Sequence, residues 1–154
     1  MAGFFCDSSA IVKRYVREAG TNWTISLFRS SSRNSFYAAR ISLVEAISAF
    51  TRRLKNKSLT QTQTAKAKTR FRRTFQRKFF KMEVDAILIE RAADLAEKYA
   101  LRGYDAVQLS AALTANNARI SVGASPLIFV CADEKLNDAA KIEGLTVENP
   151  NDYP

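Results

Sequence analysis

Four carboxylates in this sequence are placed where they could do chemistry together. Asp7, Asp105 and Asp133 each sit where an apolar segment or a tight turn opens into a helix-like pattern. Glu45 is the one acidic residue in residues 19–82, a stretch that holds fifteen Lys and Arg. The chain contains no histidine. Converging carboxylates without imidazole make a donor set for a hard divalent cation, because Mg²⁺ and Mn²⁺ prefer oxygen ligands and keep several waters. Such an ion activates a water as nucleophile and neutralises charge building on a phosphate; a pair about 3.5–4 Å apart clamps both attacking and leaving oxygens. The basic surroundings suit a polyanionic substrate. The combination points to a nuclease dependent on Mg²⁺ or Mn²⁺. A histidine-based ribonuclease mechanism is excluded outright. A zinc hydrolase does not suit two cysteines in strand-like runs, and Gly20 and Gly123 stand alone rather than in a phosphate-binding loop.

Each carboxylate also has an ordinary explanation. Asp is a preferred helix N-cap, and Asp7 and Asp133 both precede helical patterns. Asp105 falls in the first turn of its helix, where a negative charge complements the dipole. Glu45 is expected mid-helix, where it would cap nothing. Its alternative is a solvated surface charge. On a helical wheel it shares a face with Ser42, Ser48 and Ala49, small residues that leave room for an ion and a substrate. Arg52 lies two turns further along, able to reach a phosphate or to pair with Glu45.

The elements that must position these side chains follow from periodicity. Short apolar runs alternate with amphipathic helices, which argues for an α/β domain with a largely parallel sheet. Strands are expected at Gly3–Cys6, Ser35–Arg40, Lys81–Val84, Pro126–Ala132 and around Leu145–Val147. Helices are expected from Ser8 to about Arg17, around Thr21–Ser31, from Ser42 to about Lys55, from about Thr60 to Lys78, over about Ala86–Ala100 and Tyr104–Asn116, and after Asp133. Asp7 and Asp133 thus fall beyond the carboxyl ends of strands, where open α/β sheets bind their ligands. With 154 residues, 47% of them hydrophobic, and no Ser- or Pro-rich linker, a single domain spans 1–154.

Charge is unevenly spread. Residues 19–82 carry a net +14, whereas residues 83–154, with six basic and twelve acidic side chains, carry −6. Simple solubility accounts for a basic chain, but segregation of this kind fits one face that attracts phosphates or an acidic partner. Lys66, Arg70, Arg73 and Arg77 follow 4-3-4 spacing and make one helical stripe, with Lys68 and Arg72 beside it. Phe71, Phe75 and Phe79 make another, expected to pack on the preceding helix or on a second subunit. Cys6 and Cys131 read as reduced core thiols. Too few apolar residues precede Asp7 for a signal peptide, and no apolar run spans a membrane, so a cytoplasmic protein with no membrane contact is expected.

The motifs around the carboxylates make the reading more specific. Phe5-Cys-Asp-Ser-Ser-Ala-Ile-Val-Lys-Arg-Tyr-Val16 resembles the opening of PIN-domain proteins, in particular toxins of the VapBC type. Ser42-Leu-Val-Glu-Ala46, Gly103-Tyr-Asp-Ala-Val-Gln-Leu109 and Val130-Cys-Ala-Asp-Glu-Lys-Leu136 are similar to the acidic motifs that follow, and Gly144–Pro150 is similar to the usual ending. The match runs in order through nearly the whole chain. It implies a PIN-like three-layer fold, with a largely parallel central sheet flanked by helices, and a Mg²⁺- or Mn²⁺-dependent endoribonuclease. Asp7, Glu45, Asp105 and Asp133 match the acidic site, with Glu134 the alternative to Asp133, and Ser9 matches a hydroxyl that supports the first Asp. Cys131 departs from the pattern, standing where Thr or Ser is common. The resemblance also implies a homodimer, an RNA substrate and a cognate antitoxin. Arg52, Lys66, Arg70, Arg73 and Arg77 are expected to hold RNA backbone beside the site. The competing readings are a catalytically inactive PIN-like module that binds RNA or protein, against which all four acidic positions are filled, and a structure-specific DNA nuclease of related fold.

Overall fold

The four residues Gly3–Cys6 form β1, buried along its whole length. Its side chains alternate between two cores, as the period of two in a strand requires. Phe4 and Cys6 enter one core with Phe36, Phe50 and Phe71, while Phe5 enters the other with Phe129, Leu109 and Leu136. Burial on both faces is the environment of a parallel sheet covered by helices.

The structure is a computed structural model that describes residues 1–29 and 33–154. In chain order, β1 is followed by α1 (Ser8–Lys13), α2 (Thr21–Arg29), β2 (Ser35–Ala39), α3 (Ser42–Lys55) and α4 (Gln61–Lys78). Then come β3 (Phe79–Met82), α5 (Ala86–Tyr99), α6 (Gly103–Ser121), β4 (Leu127–Val130), α7 (Glu134–Ile142) and β5 (Thr146–Glu148), with a 3₁₀ turn at Pro150–Asp152. The sheet order is β3-β2-β1-β4-β5, and every described pairing is parallel. Helices α1 to α4 cover one face and α5 to α7 the other, so the three-layer architecture expected from the sequence is the one found.

Several boundaries differ from expectation, three of them for evident physical reasons. Helix α1 stops at Lys13 because its next turn bends back towards Glu18, which Lys13 Nζ reaches at 3.2 Å. The part of α2 expected at residues 30–31 lies outside the described residues. Strand β3 begins two residues before Lys81, because the backbone of Phe79, whose ring continues the α4 apolar stripe, is already extended. Helix α6 runs on to Ser121, its later turns buried through Ala115, Asn116 and Arg119.

Helix α4 shows how sequence sets orientation. Thr60 and Gln63 form a reciprocal capping box at its start. Thr64, Ala67, Phe71 and Phe75 are buried at 3-4-4 spacing. Phe71 packs edge-on against Phe50 of α3, with ring centroids 5.9 Å apart, and against Tyr15, at 5.7 Å. The preceding helix is therefore the partner of the Phe stripe. The residues opposite, Lys66, Arg70, Arg73 and Arg77, are exposed. Because Phe71 is fully buried, Phe71→Ala is expected to cost about 3–5 kcal/mol. For a chain of this size that is a fall of roughly 10 °C in Tm, readable by thermal denaturation.

Candidate active site

Parallel pairing places Cys6 beside Val130, so β1 and β4 end at the same level. The Asp7 backbone N–H continues the ladder, donating to Val130 O at 3.0 Å. Asp7 then caps α1, and only 4% of it is exposed. Its Oδ2 accepts from the Ser9 backbone N–H at 3.0 Å and from Ser9 Oγ at 2.5 Å. The same Ser9 Oγ accepts from the Ala132 backbone N–H at 3.0 Å, so one hydroxyl ties the ends of both strands together. Ser9 thus holds the Asp7 carboxylate through both its backbone N–H and its hydroxyl. Cys131 leaves no gap where a hydroxyl is common. Its Sγ lies 3.6 Å from Asp7 Oδ2, 3.7 Å from Ser9 Oγ and 3.3 Å from the Asp133 backbone N. Burial, with Asp7 beside it, pushes this thiol far up, so it stays protonated and donates.

Glu45 lies in the first turn of α3, not mid-helix, because the helix begins at Ser42. Its position is set from across the molecule. Gln108 Nε2 donates to Glu45 Oε1 at 2.6 Å and to Ser42 Oγ at 2.9 Å, and Ser8 Oγ donates to Glu45 Oε2 at 3.2 Å. Arg52 does not pair with Glu45; its Nη1 donates to Ser48 Oγ at 2.8 Å. Asp105 occupies the first turn of α6, where Arg102 Nε approaches its Oδ2 at 3.2 Å. Asp133 caps α7 through Oδ1, which accepts from the Leu136 N–H at 2.8 Å. Its Oδ2 lies 3.6 Å from Arg102 Nη2. Glu134 is exposed and lines a separate depression with Asn137, Asp138 and Lys141. Of the two adjacent acids, Asp133 is the one on the side of Asp105.

A groove of about 490 Å³ opens over these residues. Glu45, Asp105, Ser8, Ser9 and Ala132 line it, whereas Asp7 and Asp133 are not part of that lining. Lys13, Arg52 and Arg53 also line it, with Arg102 and Tyr104. Glu18 ties two of these cations together, accepting from Lys13 Nζ at 3.2 Å and from Arg53 Nη2 at 2.7 Å. The structure therefore places Arg52 at the groove, as expected. Lys66, Arg70, Arg73 and Arg77 do not line it; they face solvent on the far side of α4 from its packing against α3. Gln108, Ser8, Arg102, Lys13 and Arg53 were not singled out by sequence reasoning. Gln108 had a usable signal, since it follows Asp105 by three residues and so lies on the same helical face.

The carboxylates disturb one another. Burial raises the Asp7 pKa, and Asp105 adds to the rise. Burial raises Glu45 to about 7, with further contributions from Asp7 and Asp105. Burial also raises Asp105, with Asp133 contributing and Arg102 opposing. This is an excess of negative charge without an internal counter-charge at Asp7 and Glu45. Among the described residues no three His, Cys, Asp or Glu side chains close into a group that could grip a metal ion. Uncompensated like charges are expected to stand apart. The all-oxygen donor set and its mutual repulsion fit a hard divalent cation such as Mg²⁺ or Mn²⁺, with Asp7, Glu45, Asp105 and Asp133 as candidate holders.

A stability consequence follows for the metal-free protein. Glu45 holds its proton in the folded state up to about pH 7, whereas the unfolded chain releases it near the ordinary value of 4.5. The folded state binds more protons between those values, so stability falls as pH rises from about 4.5 to 7. Glu45→Gln is expected to stabilise the metal-free protein by roughly 1–2 kcal/mol at pH 8, after discounting for partial exposure, with little effect at pH 4. Denaturant melts in EDTA at the two pH values measure it.

No family model matches the chain. Over 143 residues it is 29% identical to Ribonuclease VapC45 of Mycobacterium tuberculosis (strain CDC 1551 / Oshkosh), covering 93% of this chain and 92% of that protein. The same identity and coverage hold for Ribonuclease VapC49 of Mycobacterium tuberculosis (strain ATCC 25618 / H37Rv). Its fold is similar to a chain in the structure of FitAB bound to an IR36 DNA fragment, with TM-score 0.63 and 12% identity over 96% of this chain and 94% of that one. A toxin–antitoxin complex from Klebsiella pneumoniae gives TM-score 0.61 and 17% identity, covering 96% of this chain and 97% of that one. VapBC2 from Rickettsia felis, bound to a DNA fragment from their promoter, gives TM-score 0.57 and 16% identity, covering 96% and 98%. The chain is thus similar in sequence, over nearly its whole length, to two VapC ribonucleases, and its fold is PIN-like, similar to that of chains in toxin–antitoxin complexes.

Proposed function

We propose that the protein is a divalent-metal-dependent endoribonuclease, the toxin of a type II toxin–antitoxin pair. The observation that carries this reading is a groove lined by Glu45 and Asp105, with Asp7 and Asp133 within electrostatic reach of them, that also presents Arg52, Arg53 and Arg102. Similarity to two named ribonucleases over 93% of the chain supports it. Toxin–antitoxin complexes among the structural neighbours support an antitoxin partner, and a homodimer and a cytoplasmic setting belong to the same reading. No described helix is long and apolar enough to cross a membrane.

The residues divide the work by their surroundings. Ser9 and Cys131 fix the Asp7 carboxylate, and Gln108 and Ser8 fix that of Glu45. Asp105 and Asp133 face them from the starts of α6 and α7. These four would hold a Mg²⁺ or Mn²⁺ ion, which would supply an activated water and charge neutralisation at the scissile phosphate. Arg52 and Arg53 draw the RNA backbone into the groove, where their charges offset those of the phosphates. Tyr104 is 61% exposed beside Asp105 and offers an aromatic face on which a base can stack. Lys66, Arg70, Arg73 and Arg77 face outward on α4 and hold RNA beyond the groove.

Purified protein incubated with a cellular RNA pool in Mn²⁺ or Mg²⁺ is expected to give discrete fragments that EDTA prevents. Asp7→Asn should lower turnover by roughly a hundredfold or more while leaving the fold and most RNA affinity in place. Folded, partner-free protein that cleaves nothing in either metal would instead favour the RNA- or protein-binding module. Reversing charge in Arg70→Glu/Arg73→Glu should weaken RNA binding. It should also flatten a salt dependence whose slope for about six phosphates on single-stranded RNA is roughly −4.

A further inference from the structure

Arg102 occupies an unusual place for a groove cation. It precedes α6 with an extended backbone, φ −63° and ψ 151°, and its side chain makes no cap hydrogen bond. Its guanidinium instead reaches two of the four site carboxylates, with Nε 3.2 Å from Asp105 Oδ2 and Nη2 3.6 Å from Asp133 Oδ2. The side chain is nevertheless 83% exposed and lines the groove. Charge rather than packing holds it. The other groove cations are engaged elsewhere, Lys13 and Arg53 with Glu18 and Arg52 with Ser48. Among the described residues Arg102 is the one groove-lining cation that pairs with the acidic site.

The consequence is competition. Asp105 and Asp133 repel each other, and the guanidinium beside them offsets part of that repulsion. A divalent cation needs the same carboxylate oxygens, and it would set a second positive charge beside the guanidinium. An exposed arginine on a long, unpacked arm gives way more readily than either carboxylate, since Asp133 is also fixed as the α7 cap. Once free, its planar fork suits a phosphate, which it can take through two parallel N–H donors.

We propose that Arg102 is a built-in competitor for the site's divalent cation and becomes a substrate-phosphate ligand when that cation displaces it. The proposal deepens the metal-dependent reading above and rests on it. Arg102 pairs with Asp105 and Asp133 in the metal-free protein, leaves them when the cation binds, and turns its charge to RNA. Metal loading and RNA binding are then coupled through this side chain, and the coupling is reciprocal.

Calorimetric titration of metal-free protein with Mn²⁺, without RNA, tests the first half. Arg102→Ala is expected to bind Mn²⁺ about two- to tenfold more tightly than the wild type, the range for loss of weak exposed ion pairs. Arg52→Ala removes the same charge from the same groove without touching a carboxylate, so it should tighten Mn²⁺ binding less. Because Arg102 is so exposed, its variant should melt with the wild type. The second half is read from anisotropy of labelled single-stranded RNA in Ca²⁺ and in EDTA. In the wild type Ca²⁺ should steepen the salt slope by about 0.7, one more phosphate contact, and in Arg102→Ala it should not. Mn²⁺ affinity that is unchanged or weaker in Arg102→Ala, tightening matched by Arg52→Ala, or an equal Ca²⁺ effect on both slopes overturns the proposal. Wild-type protein that binds no Mn²⁺ overturns the metal-dependent reading as well, which separates the two failures.

Discussion

The constraint on which the rest depends is the parallel register of β1 against β4. Parallel strands present the same end to the same side, so the residues that follow them emerge together. Here the register sets Cys6 against Val130, and the Asp7 N–H extends the ladder by one more bond. A shift of one residue would turn Phe5 and Phe129 out of the core they share, as well as separate Asp7 from Cys131. Packing on both faces of the sheet therefore fixes the position of the first carboxylate. The Ser9 hydroxyl then fastens the two strand ends, donating to Asp7 and accepting from Ala132.

Bringing carboxylates to one place is unfavourable, and the surroundings show how the fold sustains it. Asp7 is buried, yet its Oδ2 accepts from a backbone N–H and a hydroxyl and lies within reach of a thiol. These donors favour the charged form that burial disfavours. Glu45 is treated in the same way by Gln108, whose fully buried amide crosses from α6 to α3 and holds Ser42 as well. The interactions oppose the upward shift of these acids without cancelling it, and the raised pKa values are what remains. A site so arranged has unspent affinity for positive charge. At its outer side an exposed arginine answers that affinity, and at its inner side nothing among the described residues does.

Much of this was legible in the sequence because the informative residues broke a pattern. Glu45 stood out as the one acid in a basic stretch, and Asp7 and Asp133 stood at the ends of apolar runs. The largely parallel sheet of an α/β domain followed from short apolar runs separated by amphipathic helices. What periodicity could not supply was any contact between distant segments. Gln108 reads as an ordinary polar residue on a helix, and only the fold places it 2.6 Å from Glu45. Arg102 reads as a helix-flanking cation until the α6 and α7 starts are side by side. Cys131 departed from the pattern in the sequence, and only the fold shows its thiol beside Asp7, Ser9 and the Asp133 backbone. Periodicity also could not supply the α7 cap, which sets Asp133 towards Arg102 and leaves Glu134 facing another depression.

The basic stripe on α4 shows a different limit. Its 4-3-4 spacing correctly sets Lys66, Arg70, Arg73 and Arg77 on one face, yet spacing says nothing of where that face points. Burying Thr64, Ala67, Phe71 and Phe75 commits the opposite side of the helix to solvent. The stripe is therefore a consequence of how α4 packs on α3, and it stands away from the groove that α3 lines with Glu45, Ser48 and Arg52. Positive charge reaches the site in two ways that need not act together. Groove cations lie close to the carboxylates and are partly tied by Glu18. The α4 face, free of acidic residues along its whole length, contributes a field that draws polyanions without fixing their register. A strand engaging both must cross the α3–α4 layer, so the separation between stripe and groove sets a minimum span for any polyanion that uses the two at once.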